Sequence, residues 1–165
     1  MANYNDCREP TIRCVCSCPP CCPAPMPTKP ATGYFYTVSA QSFSGQNVPV
    51  TFSNTAALNE TQLGADGSTI TVSKPGLYRI GYGITPKTGA GAGVTVSLAS
   101  VSPATGTIPG TAFAVLLDQS QVHGDVLTAL TPGQQICLQV SASGSAPLTL
   151  DTSGIGAYLT LTQVM

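Results

Sequence analysis

The sequence predicts an all-β protein: an antiparallel sandwich or jelly roll of about eight to ten short strands, preceded by an extended arm. Three observations predict it. Residues 34–165 are a succession of short β-branched and aromatic runs punctuated by Gly and Pro. No segment carries a convincing 3.6-residue apolar period. Residues 1–33 hold six of the seven cysteines and seven of the fourteen prolines, so composition breaks near residue 33.

The arm comes first. Pro10, Pro19, Pro20, Pro23, Pro25, Pro27 and Pro30 rule out a helix interior and remove the donors a sheet would need. An extended, polyproline-like connector over residues 1–33 is expected, able to span on the order of 100 Å when stretched. The strands of the second region, residues 34–165, follow in order. Gly33 to Ser42 is a β-forming run through Tyr34, Phe35, Tyr36 and Val38, and Val48 to Ser53 alternates Val48, Val50 and Phe52. Asp66-Gly67 reads as a hairpin turn before the strand Ser68 to Val72. Lys74-Pro75-Gly76 and Thr131-Pro132-Gly133 carry type II turn chemistry, because Gly takes positive φ at little cost. Between them lie the strand Leu77 to Ile84, a glycine-rich link from Gly89 to Gly93, and the strand Val94 to Leu98. Residues 111–117, 121–130, 135–142, 146–151 and 155–164 supply the rest.

Only 8% of the residues are charged, against roughly 25% in an ordinary soluble domain, while 42% are hydrophobic. A surface with so few charges tends to associate, so much of it is expected to face other subunits. A net charge of −1 gives no basic field for nucleic acid and no polybasic patch for a membrane. No apolar run approaches the ~20 residues of a membrane span. The opening MANYNDCREP has no basic region followed by an apolar stretch, so no Sec signal peptide is read there.

Nothing marks an enzyme. The one histidine, His123, has Asp125 two residues on, a spacing that shares a strand face, but no motif marks a nucleophile. Asp66, Asp118, Asp125 and Asp151 are scattered and form no dense calcium loop. No catalytic, cofactor or metal residue is assigned. The cysteines Cys14, Cys16, Cys18, Cys21 and Cys22, with Cys7 upstream, have three readings. Intermolecular disulfides fit, since adjacent Cys21 and Cys22 do not easily pair with each other. Cys18-x-x-Cys21 has zinc-ligand spacing, but a second such pair at longer separation is missing. A tail without a defined partner is the third. Cys137 stands alone in the core region, alternating with inward Ile136, Leu138 and Val140, and is either a small packed residue or the acceptor of a neighbour's arm cysteine. Seven is odd, so complete pairing must cross chains.

The block Gly67-Ser68-Thr69-Ile70-Thr71-Val72-Ser73-Lys74-Pro75-Gly76-Leu77-Tyr78-Arg79-Ile80 ties a Pro-Gly turn to a Tyr at fixed spacing. With Val50 and Phe52 before it, Leu127 to Leu138 after it and the closing strand Gly156 to Thr162, it resembles the globular head shared by complement component one q and tumour necrosis factor. The resemblance spans about residues 34–165, and Gln134 stands where that family often has Asp. It implies a trimer that buries one face of each jelly roll, for which Tyr34, Phe35, Tyr36, Tyr78, Tyr82 and Tyr158 are the candidate packing residues. The Thr/Ser/Gly-rich composition is similar to the bacterial branch, which includes tips of collagen-like glycoproteins on Bacillus spores, although no Gly-X-Y repeat is present. A short Cys-rich arm on a jelly roll resembles the subunits of endospore appendage fibres. That resemblance implies a spore-surface protein made in the mother cell. Its partners would be further copies of itself stacked head to tail, with an exosporium or coat anchor and a tip protein. A tip or binding head anchored by the arm is the alternative.

Overall fold

The computed structural model describes residues 29–87, 93–115, 121–143 and 147–165. The six arm cysteines, and residues 88–92 of the glycine-rich link, lie outside the described residues. Among those described, every regular element is a strand. In chain order these are β1 (Thr32–Thr37), β2 (Ser42–Phe43), β3 (Gly45–Pro49), β4 (Asn54–Asn59), β5 (Thr61–Leu63), β6 (Ile70–Val72) and β7 (Gly76–Ile84). They continue with β8 (Val94–Ser102), β9 (Gly106–Thr107), β10 (Phe113–Val115), β11 (Val122–Leu130), β12 (Gln135–Ala142), β13 (Leu148–Thr149) and β14 (Ala157–Gln163).

Two antiparallel sheets face each other as a jelly roll. One runs β11-β7-β14-β1-β4; the other runs β10-β8-β12-β6-β5, with β3 also paired to β12 and β9 to β8. Period-two alternation explains the core. β7 turns Tyr78, Ile80, Tyr82 and Ile84 inward, and β12 turns Ile136, Leu138 and Val140 to meet them, all at most 2% exposed. Burying each such side chain is worth about 1.5–3 kcal/mol relative to leaving it in water. The two core tyrosines keep their hydroxyls satisfied, as buried phenols must. Tyr78 donates to the Lys74 carbonyl at 2.7 Å, and Tyr82 donates to the Thr111 carbonyl.

Several expectations need correcting. The strands exceed eight to ten because bends and bulges split the runs, and β2, β9 and β13 are two residues each. Gly76 does not sit in a type II turn. It opens β7 at φ +157, where a Cβ would collide with the Met165 carbonyl oxygen, so the glycine serves close backbone approach. The second Pro-Gly site does turn as expected: Gly133 has φ +76, and Gln134 N–H bonds the Thr131 carbonyl at 3.1 Å. The run Val48 to Ser53 divides, its first two residues ending β3 while Val50 and Phe52 fill the core from outside the ladders.

Candidate interaction surface

The outer face of the five-stranded sheet is built from the residues that alternate with this core. From β1 come Tyr34 and Tyr36, from β14 Tyr158 and Thr160, from β7 Arg79, Gly81 and Gly83, and from β11 His123, Asp125 and Leu127. Register brings them into rows: Tyr36 lies opposite Tyr158, Tyr158 opposite Gly83, and Gly83 opposite His123. The rings of Tyr34 and Tyr36 stack with centroids 5.1 Å apart and planes 20° from parallel. Partial burial, with the neighbouring Tyr36 and Tyr158 phenols, pushes the Tyr34 phenol up. A patch of three half-exposed tyrosines results. Away from it, at the β11 edge of the sheet, Leu127 lies opposite Arg79 and is 60% exposed.

The six aromatic packing candidates therefore divide. Tyr34, Tyr36 and Tyr158 face outward, where another molecule can reach them. Phe35, Tyr78 and Tyr82 are wholly buried between the sheets and offer nothing to a partner. Glycines, which carry no signal of their own in the sequence, shape this surface. A Cβ on Gly81 would meet Thr160 Oγ1 at 2.9 Å, and one on Gly83 would meet Tyr158 Cε1 at 2.8 Å. Two bare positions on β7 let β14 side chains lie flat across the sheet. Asp125 is held by Arg79, whose Nε donates at 2.9 Å and whose terminal nitrogen lies at 2.8 Å. Arg79 and not His123 is thus the partner of Asp125, so the histidine–aspartate spacing builds no proton-transfer pair.

Residues 29–31, the first described, are pinned at one end of this sheet. Lys74 Nζ donates to the Lys29 carbonyl at 3.0 Å, and Asn59 Nδ2 donates to the Pro30 carbonyl at 2.8 Å. Ala31 N–H donates to Gln163 Oε1 at 3.0 Å, while Gln163 N–H donates to the Ala31 carbonyl at 2.8 Å. Three separated segments thus hold residues 29–31 against the domain. None of Asn59, Lys74 or Gln163 stands out in the sequence, because the contacts are long-range.

Cys137 lies on the outer face of the seven-stranded sheet, opposite Ala99, on the side its alternation with Ile136 and Leu138 indicates. Its surface is 2% exposed. Burial pushes the thiol up, with the Gln139 amide beside it pulling the other way and the Asp66 charge adding to the rise. A buried, protonated thiol exchanges disulfides poorly. Cys7, Cys14, Cys16, Cys18, Cys21 and Cys22 fall outside the described residues.

No known family profile matches the sequence, and no curated protein matches it either. Solved structures do. The structure of Eiger TNF from S. frugiperda superposes with a TM-score of 0.61 at 12% identity, covering 84% of this chain and 94% of that one. The globular domain of zebrafish complement 1qA protein gives 0.56 at 11% identity, covering 82% and 98%. The crystal structure of murine APRIL at pH 8.5 gives 0.55 at 16% identity, covering 82% and 100%. At such identities the likeness concerns architecture alone, and on that ground the domain has the jelly-roll fold of the tumour-necrosis-factor and complement one q heads.

Proposed function

We propose that this chain is a non-enzymatic structural subunit that trimerises through the outer face of its five-stranded sheet. Its Cys-rich arms then join successive trimers, head to tail, into a fibre on the surface of a bacterial endospore. The observation that carries the reading is the outward patch of Tyr34, Tyr36 and Tyr158, on a face whose one ion pair among the described residues is internal. Tyrosines supply large contact area at low entropic cost and are enriched in interface cores. The scarcity of charge over the whole chain, 8% of residues, supports self-association. A head-to-tail contact is heterologous and propagates instead of closing. The pinned arm root supports directional linkage, since every arm leaves its head at the same place. In this assembly arm cysteines pair with one another, and Cys137 stays a thiol inside its own head.

Sedimentation velocity under reducing conditions tests the trimer. The reading expects a species of three times the chain mass, converted to monomer by Tyr36→Arg. A wild-type chain that stays monomeric at about 50 μM, an arbitrary but ample concentration for a structural interface of micromolar or better affinity, contradicts it.

A further inference from the structure

The face of the molecule opposite the tyrosine patch holds a cleft of about 530 Å³. That volume falls within the roughly 300–1,000 Å³ of small-molecule sites. Small side chains hollow out its floor: Ala99 on β8 lies opposite Cys137 on β12, and Gln139 follows, opposite Pro49. Val101, 37% exposed, extends the apolar strip. One wall is the turn carrying Asp66, Ser68 and Thr69; the other is Thr105 to Thr107, held against β8 by the Thr107–Ala99 pairing. Asn47 closes one end.

Both the turn and the closing residue are preset. Asp66 accepts four bonds from its own turn: Ser68 N–H at 3.2 Å, Ser68 Oγ at 2.7 Å, Thr69 N–H at 3.1 Å and Thr69 Oγ1 at 2.6 Å. Asn47 takes φ +55, its N–H donating to Ser141 Oγ at 2.8 Å and its Oδ1 accepting from the same hydroxyl at 3.2 Å. Rigid walls lower the ordering cost of binding.

The chemistry then narrows the ligand. Among the described residues Asp66 is the only charged one lining the cleft, and its carboxylate is occupied within its turn. No described Lys, Arg or His lines it, so anions have no partner there. The Ser68 and Thr69 hydroxyls give their protons to Asp66 and keep lone pairs. Asn47 and Gln139 bring amide N–H groups, and Thr105 and Thr107 bring hydroxyls that, among the described residues, bond to no other protein group. Alternating donors and acceptors above an apolar strip fit a ring whose hydroxyls both donate and accept and whose C–H face is apolar. We propose that this cleft binds a neutral saccharide, one or two terminal sugar rings of a glycan. It lies on the sheet that the proposed trimer leaves free, so the inference stands apart from how subunits assemble. With no aromatic platform among the described lining residues the affinity per site is weak, on the order of millimolar, and several heads on one assembly multiply it.

The test titrates the full-length chain with methyl glycosides of neutral hexoses, 6-deoxyhexoses and N-acetylhexosamines, with methyl glucuronide as the anionic control. Saturation-transfer-difference NMR is the readout. At least one neutral glycoside is expected to saturate in the millimolar range, at least fivefold more weakly in Gln139→Ala and in Thr107→Ala, while the glucuronide gives no signal. Thr107 is exposed and Gln139 half-buried, so the melting curve of each variant is recorded beside the wild type to separate lost binding from lost folding. Absence of a saturable signal from every neutral glycoside overturns the proposal, as does a signal untouched by both variants. Binding by a reduced peptide of residues 1–22, with none by the sugars, also overturns it and assigns the cleft to the arm.

Discussion

The ring of Tyr158 lies across Gly83, so close that a Cβ on that glycine would stand 2.8 Å from Tyr158 Cε1 and 2.7 Å from the Val122 carbonyl oxygen. A residue without a side chain on one strand thereby sets the position of an aromatic ring on the next. Gly83→Ala should push Tyr158 off the sheet and strain the β7–β11 ladder. The expected cost is about 1–3 kcal/mol in urea unfolding, the range for forcing extra atoms into a packed site. Weaker self-association should accompany it. A variant as stable and as associated as wild type would remove Gly83 from this account.

Phe35 and Tyr36 are neighbours in sequence and opposites in role. Phe35 is wholly buried, so Phe35→Ala should cost about 3–5 kcal/mol through lost burial and a cavity. Tyr36→Ala removes a half-exposed ring and should change the stability of a dissociated head by less than about 1 kcal/mol. Its effect belongs to assembly, where the trimer should dissociate at least tenfold more readily. Chemical denaturation and sedimentation on the same two proteins separate these outcomes.

The alternation that distinguishes those residues is present in the sequence. Tyr34-Phe35-Tyr36 must place its middle ring opposite the other two, and Tyr78 and Tyr82 share a face with Ile80 and Ile84, whose company marks the core. Counting aromatics without assigning faces puts all six on one surface. β7, β11, β12 and β14 are legible because long, alternating runs state their own boundaries. β4 is not: Asn54–Asn59 is mostly exposed, and Ala57 and Glu60 take φ +52 and +56. It forms because β1 offers an open edge, with a register shift between Thr32 and Tyr34 accommodating it. The clasp on residues 29–31 and the cleft are illegible for the same reason. Each joins residues tens of positions apart, and no local pattern encodes such a meeting.

Tyr82 gives the fold an alkaline limit. Burial pushes its phenol from 10.0 up to about 12, with the Thr111 hydrogen bond opposing and Asp125 adding slightly. Between those values the unfolded chain has released a proton that the folded chain retains. Stability therefore falls as pH rises above 10, by up to about 1.4 kcal/mol per pH unit for each such proton. Tyr78, also raised by burial, acts in the same direction. Melting temperature should drop between pH 10 and 12, and Tyr82→Phe should flatten the decline. The same variant should lose about 1–3 kcal/mol at pH 7, because the Thr111 carbonyl is left without its donor. An identical alkaline profile in wild type and variant would contradict the assignment.

Cys137 should behave as a packed residue. In the folded protein at pH 8 its alkylation by iodoacetamide should be at least tenfold slower than in guanidinium, read by mass spectrometry of the Cys137 peptide. Under non-reducing conditions that peptide should carry a free thiol. Cys137 recovered in a disulfide with an arm cysteine would show that the arm reaches into the head, contrary to the assembly proposed here.

The central claim is assembly by the arm onto a self-associating head, and negative-stain electron microscopy addresses it most directly. The full chain, purified without reductant, is imaged beside a variant lacking residues 1–22. The account predicts fibres from the full chain and discrete trimers from the truncated one. Discrete trimers from both would contradict arm-mediated polymerisation, and monomers from the truncated chain would contradict the tyrosine face as the trimer contact.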